Sequence, residues 1–193
     1  MHLPKWDCAG SKTCPVIPFL LASSAAPGLA FAQERAHIVI VGGGVGGATT
    51  AKYLKLFNPA LKVTVIEKNR TYVRPYGSSE VLNQHVHMDD LNVSYDALKN
   101  TYGVNFVFDT VTGWDPVKRT MSTAGKQHIA YDRLVVSPGI ELLYGAYEGY
   151  SEAVARSAVP SGWIPGEQTA MLAKQLQGMR QGGTFVLAAP PNP

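Results

Sequence analysis

The sequence predicts an α/β fold: a Rossmann-like domain with a parallel sheet and a three-stranded antiparallel β-meander crossover. Three observations point to it. The apolar run His37-Ile-Val-Ile-Val41 enters a turn built from Gly42, Gly43, Gly44, Gly46 and Gly47; a second apolar run ends on the acidic Glu67; and turn residues divide 111–131 into three short segments.

Each element has a local reason. Residues 37–41 read as a buried strand, and Val45, Ala48, Ala51, Leu54 and Phe57 recur at helical spacing until Asn58-Pro59 stops the helix. Lys62–Ile66 forms the next strand, and a long loop is expected over 68–92. A short helix around 94–101 leads to a strand at 104–108. Asp115-Pro116 and Ala124-Gly125 then separate strands at 111–114, 118–123 and 127–131. Arg133–Val136 returns as a short strand ending at Ser137-Pro138-Gly139. Residues 141–166 are loop-rich, 167–180 predict a helix closed by Gly182-Gly183, and Thr184–Ala188 predicts one more strand.

The strand–glycine turn–helix order carries the chemistry. Glycines at 42, 44 and 47 allow the backbone to close on a pyrophosphate and present amides at a helix start. Glu67 lies twenty residues beyond Gly47, where a carboxylate accepts from ribose hydroxyls and repels an additional phosphate. FAD or NAD is the expected ligand; the alternative is a tight turn that binds nothing.

Composition narrows the remainder. The 193 residues are 46% hydrophobic and 16% charged, enough for a core, and the net charge of +3 is dispersed without the basic stripe a nucleic acid partner needs. Lys5 and Lys12 precede an uncharged stretch, 13–33, that contains Ala30-Phe31-Ala32, so residues 1–32 read as a signal peptide or, alternatively, an unstructured extension. Its prolines and serines exclude a comfortable membrane span, which needs roughly 20 mainly apolar residues. Cys8 and Cys14 both fall in this segment, at a spacing that fits neither a zinc knuckle nor a Cys-x-x-Cys redox motif. Arg74, His85 and His87 sit in the long loop without acidic partners at ligand spacing, so no metal is assigned.

Four stretches carry a resemblance: Val39–Leu56, Tyr131–Tyr144, Glu148-Gly-Tyr-Ser-Glu152 and Gly166-Glu-Gln-Thr-Ala170. From about residue 36 onward the chain resembles the two-dinucleotide-binding-domain flavoproteins, and within them the flavoprotein subunit of flavocytochrome c sulfide dehydrogenase. The resemblance implies a periplasmic FAD enzyme that oxidises sulfide at a disulfide beside the flavin and passes electrons to a c-type cytochrome subunit. It implies an FAD-binding domain over 36–165 and the helix and first strand of a truncated second domain over 166–193. Gly42, Gly44 and Gly47 match the pyrophosphate turn, with Gly46 beside them; Glu67 matches the ribose ligand, with Lys68 next to it. Val111 matches a backbone contact to adenine and Gly139 a second approach of backbone to cofactor. Glu167 matches a position near the flavin and is the candidate for moving protons. The plainer readings are an ordinary strand residue at Val111 and, at Glu167, a carboxylate placed by the helix dipole.

Two departures qualify the resemblance. Relatives attach FAD through a cysteine in a Tyr-x-x-Cys-Tyr segment, but here the stretch is Tyr72-Val-Arg-Pro75-Tyr76, so noncovalent FAD is expected. The disulfide cysteines are not among these residues, and the chain is expected to be an amino-terminal portion of a longer flavoprotein. Alternatives are a sulfide:quinone or NADH:quinone oxidoreductase and a nonenzymatic FAD-binding fragment.

Overall fold

The computed structural model describes residues 35–188, which belong to the second of two compact units, Glu34–Pro193. The expected signal peptide with Cys8 and Cys14, and residues 189–193, lie outside the described residues.

Four parallel strands form the main sheet. β1 (His37–Val41) pairs with β2 (Lys62–Glu67) on one side and β9 (Arg133–Val136) on the other, and β2 pairs with β5 (Asn105–Phe108), giving the order β5-β2-β1-β9. The chain therefore builds outward from β1 in one direction and then returns to its other flank. The crevice beside β1 is the switch point at which open α/β sheets bind ligands.

Two layers cover this sheet because its strand residues alternate between its faces. Ile38, Ile40, Val63 and Val65 form one cluster with Ala51 of α1 (Val45–Phe57), and Leu98 of α3 (Asp96–Asn100) packs against it. On the other face Val39 and Ile66 meet Met121 and Ile129 of the meander, β6 (Val111–Asp115), β7 (Thr120–Thr123) and β8 (His128–Ala130). Each fully buried Val or Ile contributes on the order of 2 kcal/mol. α1 ends as expected: the Asn58 amide donates to the Leu54 carbonyl, and Lys55 Nζ donates to the carbonyls of Pro59 and Leu61. In the first hairpin, Arg119 adopts φ +52°, which shortens the expected 118–123 strand to Thr120–Thr123.

The expected loop over 68–92 is structured. It contains β3 (Thr71–Val73), a 3-10 turn at Pro75–Gly77, α2 (Ser78–Leu82) and a second 3-10 turn at Met88–Leu91, after which β4 (Asn92–Ser94) pairs antiparallel with β3. These pieces are too short for a periodic signal. Their stability comes from packing, with Leu91 fully buried so close to Gly77 that a Cβ there would lie 2.5 Å from its methyl carbon.

The carboxyl-terminal expectations are corrected in two places. After α4 (Glu152–Ala155), the helix α5 spans Glu167–Gln177 and stops at Gly178 rather than reaching Gly182. Thr184–Ala188 is not a strand. No described strand pairs with it, and Phe185, Val186 and Leu187 are exposed, so a β-forming pattern has nothing to complete its ladder.

Candidate functional site: a dinucleotide cleft at the switch point

A cleft of about 920 Å³ opens where the four parallel strands end. Its wall draws on the glycine turn after β1, Glu67 at the end of β2 with residues 68–72 beyond it, 109–111 after β5 and 137–140 after β9, joined by Trp163–Pro165. The volume lies within the range of roughly 300–1,000 Å³ usual for ligand and cofactor sites.

The glycine turn is fixed by contacts that only glycine permits. Gly42 has φ +94°, and a Cβ on it would lie 2.0 Å from the Ser137 carbonyl oxygen. A Cβ on Gly47 would lie 1.8 Å from the Gly42 carbonyl oxygen. Gly47 is buried beneath the cleft and not on its wall: it lets α1 sit close to β1, whereas Gly42, Gly44 and Gly46 face the cavity. The α1 N-cap, Gly44, has no capping side chain, and the first turn has no acidic residue. That helix start therefore keeps its positive end for an anion.

Glu67 ties the turn to the sheet. Its Oε2 accepts from the Gly43 amide at 2.7 Å and its Oε1 from the Asn69 amide at 2.9 Å, leaving further lone pairs toward the cleft. Tyr95, nearly fully buried, packs its ring tilted against Phe106 and places its hydroxyl against Gly43, where a Cβ would come within 2.8 Å. Burial, then the Glu67 charge, push its phenol well above the ordinary range, so it remains a neutral donor. Tyr72 covers Gly44 from β3; burial and Tyr76 raise its phenol too.

Lys68, Val111 and Gly139 line the same cleft, as does Pro75. Gly139 has φ +88° and no neighbour within reach of a Cβ. Val111 pairs with Thr123 in the meander, and Asp109 just before it accepts from the Thr110 amide through Oδ1 at 2.7 Å and from the Gly125 amide through Oδ2 at 2.9 Å. The Thr123 hydroxyl, then these two amides, hold the Asp109 carboxyl below its ordinary value. A lowered folded-state pKa stabilises above the unfolded value of about 3.9 and is lost as pH falls through and below it. Asp109→Asn is accordingly expected to flatten the decline of melting temperature on the acid side, measured by thermal denaturation between about pH 6 and pH 3.

Glu167 opens α5. It does not line the main cleft; its side chain is 89% exposed and pairs with Arg156 at 3.3 Å beside a separate depression of about 270 Å³. His85 and His87 are exposed, and His87 caps the turn that follows it. Among the described residues no group of three or more histidine, cysteine, aspartate or glutamate side chains could hold a metal. Sequence reasoning missed Tyr72, Tyr95, Asp109 and Trp163 as wall residues. Only Tyr72 had a local signal, its place in the segment aligned with the covalent attachment site.

The cleft fits a dinucleotide such as FAD: the uncapped helix start after Gly42, Gly44 and Gly46 suits a diphosphate, and Glu67 has lone pairs to offer a sugar beside it. A profile of the pyridine nucleotide-disulphide oxidoreductase family matches residues 36–159. Sulfide-quinone reductase of Aquifex aeolicus is 34% identical over 121 residues, 60% of this chain and 27% of that protein. The flavoprotein chain of flavocytochrome c sulfide dehydrogenase from Chlorobaculum thiosulfatiphilum is 50% identical over 37 residues, 19% of this chain and 77% of that sequence. Among solved structures, the Aquifex aeolicus sulfide:quinone oxidoreductase superposes with a TM-score of 0.64 at 27% identity, over 74% of this chain and 32% of that one. The chain thus spans about a quarter of the full-length sulfide-quinone reductase it matches. With the profile covering most of its length and the cleft at the expected switch point, this chain belongs to the pyridine nucleotide-disulphide oxidoreductase family.

Proposed function

We propose that this chain is the FAD-binding part of a flavoprotein that oxidises sulfide and delivers the electrons to a c-type cytochrome. The observation that carries the cofactor reading is the glycine turn at the sheet's switch point, closed by Glu67 and free of a capping side chain. When bound, FAD supplies an electron-pair acceptor that can release electrons singly. The chain's own task is to hold it: the turn for the diphosphate, Glu67 for the ribose, residues 109–111 for the base.

Sulfide as substrate is supported by the two sulfide-oxidising relatives, and cytochrome as acceptor by the 50% identity to the flavocytochrome chain. A second reading, quinone as acceptor, is supported by the longer match to sulfide-quinone reductase. Export to the periplasm is proposed from the Ala30-Phe31-Ala32 segment. Among the described residues no helix is long and apolar enough to cross a membrane.

The test is anaerobic addition of sulfide to the purified flavoprotein, the 193-residue chain together with whatever further chain accompanies it. Bleaching of the flavin followed by reoxidation with cytochrome c supports the proposal. Reoxidation by a soluble quinone and not by cytochrome c favours the second reading, and flavin that sulfide leaves yellow rejects both. Pro75 offers no nucleophile, so acid precipitation is expected to release all flavin into the supernatant; colour retained in the pellet contradicts noncovalent binding.

A further inference from the structure

Part of the cleft wall is apolar, and the loop that carries it is tied by hydrogen bonds to the first turn of α5. Trp163, Ile164 and Pro165 line the cleft together with Ile140, yet Trp163 is 68% and Ile140 75% exposed. An indole on a cavity wall with this much free surface matches a flat apolar group better than a sugar or a phosphate.

The loop carrying Trp163 is fastened from behind. The Trp163 amide donates to Ser161 Oγ at 3.3 Å, and the Ser161 amide donates to Gln168 Oε1 at 2.8 Å. Gln168 Nε2 donates to the Tyr144 hydroxyl at 2.9 Å, and the Thr169 hydroxyl donates to the Ile164 carbonyl at 2.7 Å. Gln168 and Thr169 are both buried, in the first turn of α5. Buried polar side chains are costly unless satisfied, and here two of their three partners, the Ser161 amide and the Ile164 carbonyl, flank Trp163 in its own loop. Their neighbour Glu167 turns outward to Arg156.

We propose that Trp163 covers the isoalloxazine ring of the cofactor, and that Gln168 and Thr169 are positioning residues for it. This rests on the FAD reading: the polar wall accounts for the adenosine and diphosphate, and the flat ring is the part of the dinucleotide that remains. The Gly166-Glu-Gln-Thr run then acts through its inward-facing Gln168 and Thr169.

The experiment compares FAD with ADP, which shares the adenosine and phosphates but lacks the ring, as ligands of the full chain after flavin removal. Trp163→Ala is expected to weaken FAD binding about tenfold, leave ADP binding unchanged and raise the fluorescence of bound flavin, because a stacked indole quenches it. Thr169→Val is expected to give a smaller change in the same direction, with Thr169→Ser restoring the parent values. Trp163 is exposed, so its variant tests contact and not folding. Equal loss of FAD and ADP affinity in Trp163→Ala, or no loss of either, overturns the inference while wild-type FAD binding stands. Failure of the wild-type chain to bind either ligand rejects the FAD reading itself, and this inference with it.

Discussion

Gly47→Ala is expected to lower the melting temperature sharply and to cost the protein its flavin. Alanine is ordinarily the better helix former by about 1 kcal/mol, so helix propensity alone predicts a gain. Packing reverses the sign. The new methyl would lie 1.8 Å from the Gly42 carbonyl oxygen and 3.3 Å from Ile40 Cγ2, and the first of these is backbone with no rotamer to yield. Relief requires α1 to lift from β1, which opens the cluster of Ile38, Ile40, Ala51, Val63 and Val65. A loss of about 3 kcal/mol or more is expected, a large share of the roughly 5–15 kcal/mol that holds a domain together. Thermal denaturation followed by circular dichroism, with flavin content measured alongside, reads it directly. A variant with the parent melting temperature would mean that the close helix–strand approach is not required.

Gly44→Ala separates folding from binding at the same turn. Gly44 has φ −66°, which any residue adopts, and the nearest atom to its Cβ is a Tyr72 ring carbon at an ordinary 3.6 Å. The variant is expected to melt with the parent protein yet bind FAD at least about tenfold more weakly, because the methyl enters the wall that the diphosphate approaches. That outcome would assign two glycines three residues apart to different ends, Gly47 to packing and Gly44 to access.

The parts of the fold that sequence made legible are those whose signal is local and repeated. β1, α1 and β2 announce themselves by unbroken apolar runs or helical spacing, and the meander by turn residues at regular intervals. Glu67 is legible because its distance from the glycine turn is set by one helix and one strand. Tyr95 is not, since its contact with Gly43 depends on α3 packing across the sheet, a juxtaposition no spacing reveals. The β3–β4 hairpin escaped for a related reason: three-residue strands become strands only when tertiary packing brings Tyr72 opposite Val93. Thr184–Ala188 shows the converse, a β-forming run that remains without a ladder among the described residues. Glu167 was legible as a helix start, which it is. Its distance from the main cleft depends on how α5 turns, and Gln168 and Thr169 determine that by facing inward.

Glu67→Ala should produce the largest binding defect of any wall residue, and one that falls on the adenosine half of the ligand. The carboxylate performs two tasks at once. It accepts from the Gly43 and Asn69 amides, fixing the turn against the end of β2, and in the proposed binding mode its remaining lone pairs meet the ribose. Hydrogen bonds to a charged group contribute about 1.5–3 kcal/mol each, so losing the tether and the sugar contact together predicts a fall in FAD affinity of roughly a hundredfold. Glu67→Gln keeps one acceptor oxygen but turns an NH2 group toward an amide that itself donates, so an intermediate defect is expected. Because the ribose belongs to both ligands, ADP affinity should fall in step with FAD affinity, unlike the ring-specific loss expected on removing the Trp163 indole. Calorimetric titration of both ligands decides the matter: an alanine variant that binds ADP as tightly as the parent would show that neither the brace on the turn nor a sugar contact from this carboxylate contributes to binding, and would leave the sugar without its assigned partner.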